Sequence, residues 1–204
     1  MRRRGISLAE LMVAIAILAF LLTGLYLILV AGAGYFRKGS VAATVHQQAR
    51  LGLRKLTVEI ENSQTQSIYA ADAPVPYLIM PSADAPRPAQ AGQWTLTAGR
   101  LTWQKWVCFW LDNDQLVRAE LVVPPLPAED LPVPADPDYP AFGDFSAAPR
   151  EVLARHIYDL DFTVDSALGG GPTVALRVVA RQATASDKAT EVVLQNRVYP
   201  RNTR

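Results

Sequence analysis

A short basic stretch opens the chain, and a long apolar run follows it. Between Glu10 and Arg37 lie 26 residues whose polar side chains are limited to Thr23 and two tyrosines. About 20 apolar residues allow a helix to cross the hydrocarbon core of a bilayer, so this run is long enough to span a membrane. Three arginines at positions 2–4 precede it, and positive charge favours the cytoplasmic side. We therefore expect one membrane span, with the N-terminus cytoplasmic and the rest exported.

From residue 41 onward the pattern becomes amphipathic. Apolar residues recur every three or four positions and form one stripe: Val41, Val45, Ala49, Leu53, Leu56 and Ile60. No proline occurs before Pro74, so we expect a single helix from about Ile6 to about Ser67. Residues 6–36 would be its membrane-spanning half, and residues 37–67 its amphipathic half, with one face buried against a globular head.

Residues 68–204 are predicted to form a β-rich head. Segments 101–111 and 115–123 predict a hairpin, because both are rich in aromatic and β-branched residues and a turn-forming Asp-Asn-Asp separates them. Three more strands are predicted at 157–164, 173–182 and 190–200, with turns at 169–172 and 186–188. The stretch 152–156 is expected to be helical or irregular.

Eight prolines and several acids lie between residues 124 and 149. Proline removes a backbone donor and fixes φ, so this composition disfavours a central strand or a helix interior. The segment is predicted to be an exposed Pro-rich loop, serving either as a partner surface or only as a connection.

No catalytic, cofactor-binding or metal-binding residue is predicted. The formal net charge of +1 gives no general attraction to nucleic acid, and no nucleic-acid binding is expected. His46 and His156 have no Cys, Ser or acid at a recognisable catalytic spacing, and Cys108 is expected to be an inert core residue. With a single cysteine, an intrachain disulfide is excluded.

Two further features of the head allow a binding role but favour a structural one. Asp112 and Asp114 lack the additional acids and the glycine of an EF-hand calcium loop. Trp103, Trp106 and Trp110 could form a binding surface, but alternation along the strand favours core positions.

Glu10 is a charged residue at the start of an apolar helix, where a charge is unfavourable. A carboxylate facing lipid costs about 2.5–3.5 kcal/mol at the bilayer centre, and less near the interface. An ordinary signal anchor explains the length and the arginines but not this acid. Cleavage after Gly5 would make Ile6 a cationic N-terminus at membrane depth. The Glu10 carboxylate of a neighbouring subunit could then pair with that amine.

The sequence GISLAELMV at 5–13 resembles the processing site of type IV prepilins and of the pseudopilins of type II secretion. That family has a short basic leader ending in Gly, and Glu as the fifth mature residue. The resemblance implies that residues 1–5 are a leader removed by prepilin peptidase, that Ile6 is N-methylated, and that Glu10 acts in subunit assembly. Phe is the usual residue at the position of Ile6. The implied fold is pilin-like α+β, a long N-terminal helix packed on an antiparallel β-sheet head.

The head is similar to those of larger minor pilins and pseudopilins, especially the J-type pseudopilin and W-type minor pilin groups. This likeness uses the strand order and the closing Val198-Tyr199-Pro200-Arg201-Asn202. It implies a structural subunit, not an enzyme, at or near the tip of a type IV pilus or secretion pseudopilus. The implied partners are other pilins, prepilin peptidase, an inner-membrane assembly platform with its cytoplasmic ATPase, and membrane lipid. The implied location is the bacterial inner membrane, then the filament.

Two alternatives stay open from the sequence. A single-pass, membrane-anchored extracytoplasmic binding protein would retain its leader. It would bind a ligand through the Pro-rich segment and the tryptophans. A secreted enzyme, cut by signal peptidase near residues 31–34, would be soluble without the helix. The sequence does not distinguish a type IV pilus, a competence pilus and a secretion pseudopilus.

Overall fold

The structure, a computed structural model, describes residues 8–84, 95–97, 100–165, 173–183 and 189–200. The chain divides into two compact units, residues 1–43 and 44–204, which are described separately. One helix, α1 (Leu8–Glu61), supplies the described part of the first unit and the start of the second.

Residues 8–40 of α1 have exposed side chains throughout. This part of the helix contains an 18-residue window with a mean hydropathy of 2.8, and none of that window is buried. By length and composition, α1 is the one helix in the described ranges that could cross a membrane. The predicted long apolar helix is confirmed.

The α-helix ends at Glu61, not near Ser67 as predicted, and residues 65–67 form a short 3₁₀ helix instead. The cause is a tertiary contact just beyond the end. The buried Ser63 hydroxyl donates a hydrogen bond to the carbonyl oxygen of Pro81 over 2.9 Å, which draws the chain towards a neighbouring strand. Residues 62–67 are all polar and include no proline, so nothing in this stretch indicates that the α-helix ends at Glu61.

Within the described residues, the second unit contains a six-stranded antiparallel sheet. Its strands are β1 (Tyr69–Ala71), β2 (Tyr77–Ser82), β3 (Thr95–Thr97), β4 (Arg100–Asp112), β5 (Gln115–Pro127) and β6 (Arg150–Arg155). Their order is β1-β2-β4-β5-β6, with β3 also paired to β4. The predicted β4–β5 hairpin is confirmed. Asn113 and Asp114, with φ of 47° and 60°, supply the two left-handed residues that a type I′ turn requires.

One face of this sheet packs against residues 44–61 of α1. The buried helix positions are Val45, Ala49, Gly52, Leu56 and Ile60. The predicted stripe had Leu53 in place of Gly52, but Leu53 is only half-buried. A Cβ atom on Gly52 would lie 3.1 Å from a Leu116 methyl carbon and 3.3 Å from the Ala154 Cβ, so glycine allows the helix to approach β5 and β6 closely.

The opposite face of the sheet carries an aromatic core that the proline-rich segment covers. The prediction of an exposed loop is wrong for Leu131 and Phe145, which are buried in this core. Phe142 stacks on Tyr77 with ring centroids 4.7 Å apart, and a short helix, α2 (Phe142–Ser146), carries both phenylalanines.

Strand β5 also extends through the first three prolines of that segment, to Pro127. Its partner β6 pairs only with residues 115–119, so the later part of β5 has a neighbour on one side alone. Proline is tolerated at such an edge because its missing donor leaves no ladder bond unmade.

The described part of the unit also contains a second, three-stranded antiparallel sheet. It is formed by β7 (Ile157–Asp165), β8 (Thr173–Ala183) and β9 (Ala189–Val198), in that order, which confirms the three predicted strands. The expectation of helical or irregular structure at 152–156 is wrong. Residues 150–155 form β6, and His156 with φ of 61° separates β6 from β7. The predicted turns at 169–172 and 186–188 and the closing Arg201-Asn202 lie outside the described residues.

Candidate functional site in the N-terminal helix

Of the three residues predicted to act in processing and assembly, the structure describes one. Gly5 and Ile6 lie outside the described residues. Glu10 lies in the first turn of α1 with an exposed side chain. A negative charge in the first turn interacts favourably with the positive end of the helix dipole, which lowers the cost of placing an acid there.

The surface that follows Glu10 is apolar on every side of the helix. The large hydrophobic side chains from Leu8 to Phe36 are all at least 53% exposed. Such a continuous apolar surface is far larger than a soluble monomer normally leaves in water, so it needs lipid or other apolar helices around it. The Thr23 hydroxyl donates to the Ala19 carbonyl over 2.8 Å, so this polar group is satisfied within the helix.

In the head, the tryptophans and the cysteine singled out in the sequence are buried. Trp103, Trp106 and Trp110 are at most 4% exposed, which confirms the prediction that they belong to the core. Cys108 is also buried, as predicted, and burial raises the pKa of its thiol, so the nucleophilic thiolate is disfavoured. Asp112, the last residue of β4 before the turn, forms an ion pair with Arg150.

A buried ion network on the helix-facing side of the first sheet was missed by sequence reasoning. Arg118 of β5 donates to Glu59 of α1 over 2.9 Å and also contacts Glu120. Lys105 of β4 donates to Glu120 over 3.1 Å. Lys105 and Arg118 are only 3% and 4% exposed, so their charges depend on these carboxylates.

The charges of the network stabilise one another. Burial would lower the pKa of Arg118, but Glu59 and Glu120 outweigh this effect and raise it. Burial likewise raises the pKa of Glu120, but Arg118 and Lys105 outweigh that effect and lower it. The sequence signal was present but weak. Lys105 alternates with Val107 and Phe109 on one face of a strand, which predicts a buried cation in need of a partner.

Residues 1–26 match the family model described as the prokaryotic N-terminal methylation motif. No curated protein and no solved structure matches the chain. The match covers the predicted leader, Gly5, Ile6, Glu10 and most of the apolar run. The fold agrees with it, since a long apolar N-terminal helix packs its later part against antiparallel β-sheets. The motif implies processing by prepilin peptidase and assembly with pilins, and it makes the N-terminal segment similar to that of pilin-like structural subunits.

Proposed function

We propose that this chain, with its prepilin-type methylation motif and membrane-crossing helix, is a minor pilin or minor pseudopilin. It is inserted into the inner membrane as a precursor and cleaved after Gly5. It is then methylated on Ile6 and packed by α1 into a type IV pilus or a type II secretion pseudopilus. The observation that carries this proposal is the single acid, Glu10, in the first turn of a helix whose next 26 residues are exposed and almost all apolar.

The proposed assembly step follows from the cost of charge in a membrane. Cleavage after Gly5 makes Glu10 the fifth residue of the mature chain and creates a cationic amine at Ile6. A carboxylate and an amine at similar membrane depth attract each other more strongly than in water, because the surroundings have a low dielectric constant. Pairing between the amine of one subunit and Glu10 of its neighbour therefore offsets both charges and fixes the register between helices.

The head supports a minor position in the filament. Its two sheets, with six and three strands, form a large domain for a subunit of this kind. A large head suits a low-copy subunit at or near the tip, where fewer neighbours restrict its size. The J-type pseudopilin and W-type minor pilin groups stay our proposed subgroups, with an inner-membrane assembly platform as a partner.

The decisive experiment is the intact mass and N-terminal sequence of the full chain purified from bacterial membranes that contain prepilin peptidase. We expect a chain that begins at Ile6 and is heavier by one methyl group. A chain beginning at Met1 would instead favour a membrane-anchored binding protein. A chain beginning beyond the apolar run would indicate a secreted protein, and either result overturns the proposal.

A substitution at the cleavage site gives a matched test. Gly5→Leu should leave an unprocessed precursor of higher mass. Gly24→Leu makes the same change within α1, where a Cβ atom has open space around it, and should be processed normally. Normal processing of the Gly5 variant would contradict the assigned cleavage site.

A further inference from the structure

The outward side of α1 in the second unit carries both positive charge and exposed apolar groups. Arg50, Leu51, Arg54 and Val58 recur at helical spacing and lie away from the buried stripe. Leu51 is 41% and Val58 is 49% exposed. Arg50 and Arg54 are exposed, and neither guanidinium has a recorded partner among the described residues. We call these four residues the basic face.

A groove beside the basic face could receive apolar side chains. It has a volume of about 330 Å³, and its lining includes Leu51, Val58 and the buried side chains of Phe109 and Leu153. Arg118, the buried cation of the ion network, also lines it. The groove therefore offers apolar contact beside the two exposed arginines.

The proline-rich segment forms a surface of opposite charge. Between Arg118 and Arg150 the chain has no lysine or arginine, and residues 128–148 hold five acids: Glu129, Asp130, Asp136, Asp138 and Asp144. All five are exposed. Asp130 and Asp138 have no recorded partner among the described residues. We call these five acids, with the exposed Pro134 and Pro137 between them, the acidic face.

The register of the first sheet puts the two faces on opposite sides of it. Phe109 pairs with Arg118, and this row of side chains lies on the side covered by α1. The adjacent row, Cys108 and Ala119, lies in the aromatic core beneath the proline-rich segment. The basic and acidic faces of one chain are thus separated by the sheet.

We propose that the basic face of one copy of this chain docks on the acidic face of a second copy. The charges are complementary, which steers association and fixes its register. A two-fold dimer through either face would instead bring like charges together. Contact between two different surfaces is heterologous, so a pair of copies keeps one free basic face and one free acidic face. The proposal rests on the proposed function only in assuming that copies share one assembly, and it requires at least two adjacent copies.

Cysteine cross-linking of the full chain in membranes tests the contact directly. Cys108 is buried, so introduced cysteines on the surface should dominate the reaction. A chain carrying both Arg54→Cys and Asp138→Cys should form disulfide-linked dimers and higher species on oxidation. Each single variant should stay monomeric, and so should Arg54→Cys combined with Glu191→Cys, which lies exposed on the second sheet. Dimers from Arg54→Cys alone would show a two-fold contact and overturn the proposal.

Charge reversal tests whether the ion pairs direct the docking. With Leu51→Cys and Asp130→Cys as the reporter pair, Arg54→Glu should lower the cross-linked fraction by about fivefold. Adding Asp138→Arg should restore it. An unchanged fraction in the first variant, or no recovery in the second, overturns the proposal.

The same samples separate this proposal from the proposed function. If the chain is cleaved at Gly5 but the reporter pair gives no cross-links, docking on a second copy is wrong and the pilin-like assignment stands. If cross-links form in a chain that begins at Met1, the docking stands and the assignment is wrong.

Discussion

Arg118 and Glu59 join the sheet of the head to the helix that begins in the membrane-spanning segment. A guanidinium nitrogen of Arg118 on β5 donates to a carboxylate oxygen of Glu59 on α1 over 2.9 Å. The arginine side chain is 5% exposed and the glutamate side chain is 18% exposed. Since the pair is largely removed from water, losing one partner leaves the other charge poorly compensated.

Arg118→Met should therefore destabilise the head strongly. The variant keeps much of the apolar stem but leaves the carboxylates of Glu59 and Glu120 without their shared cation. We expect a loss of about 3–5 kcal/mol in the free energy of unfolding. Denaturant unfolding of the detergent-solubilised full chain, followed by the fluorescence of the buried tryptophans, measures it.

Arg177→Met is the matched control. Arg177 forms an ion pair with Asp159 on the second sheet, but the two side chains are 39% and 44% exposed. Solvent screens such a pair, so we expect a loss of about 1 kcal/mol or less. Equal losses in the two variants would show that the Arg118 network does not hold the helix to the sheet.

The network also predicts a loss of stability in acid. Arg118 and Lys105 hold the pKa of Glu120 below its usual range, so the unfolded chain binds a proton to this group at a higher pH than the folded chain does. The stabilisation is complete above the unfolded pKa of about 4.3, and it is lost as pH falls through the lower folded pKa. Unfolding free energies measured from pH 7 down to pH 2 should therefore decline in acid.

Glu120→Gln should make that acid decline shallower, although the variant is less stable at pH 7. The amide cannot take up a proton in this range, so its contribution does not change with pH. If the decline had the same slope in both proteins, other carboxylates would be its source.

The spacing of apolar and turn-forming residues was enough to predict the long helix and the first hairpin. The helix from Leu8 follows from an apolar run without proline, and the β4–β5 hairpin follows from two strand-forming segments around Asn113 and Asp114. The motif at Gly5 and Glu10 is also local, which explains why the candidate site could be read from nine residues.

Features that depend on distant partners could not be predicted in the same way. The Ser63 hydroxyl ends the helix region by binding Pro81, 18 residues away. Phe145 packs on the aromatic face of the first sheet, and this contact holds the proline-rich segment against the sheet. Glu59 and Arg118 are 59 residues apart in sequence, and only the packing of α1 on β5 shows that they are partners.

Gly52 should tolerate a large side chain poorly. Leu116 and Ala154 already lie within 3.3 Å of the place a Cβ atom would take, so Gly52→Leu must push the helix away from β5 and β6. Overpacking of this kind costs about 1–3 kcal/mol. Gly39→Leu is the control, because a Cβ there has nothing within 4 Å, and leucine favours the helix by up to about 1 kcal/mol. Denaturant unfolding should show loss in the first variant only, and an unaffected Gly52 variant would contradict the close packing.

Glu10→Ala should separate membrane insertion from assembly. Removing the acid makes the helix more apolar, so we expect insertion and cleavage after Gly5 to continue. Incorporation should fall, because the amine of a neighbouring Ile6 loses the carboxylate proposed to pair with it. Quantifying the mature chain in sheared filaments, against the amount left in the membrane, measures this directly.

Glu10→Gln has nearly the shape of the native side chain without its charge and should fail equally, whereas Glu10→Asp keeps the charge and should retain part of the incorporation. If the glutamine variant assembled normally, the proposed ion pair would have no role, and the apolar surface of α1 alone would guide packing.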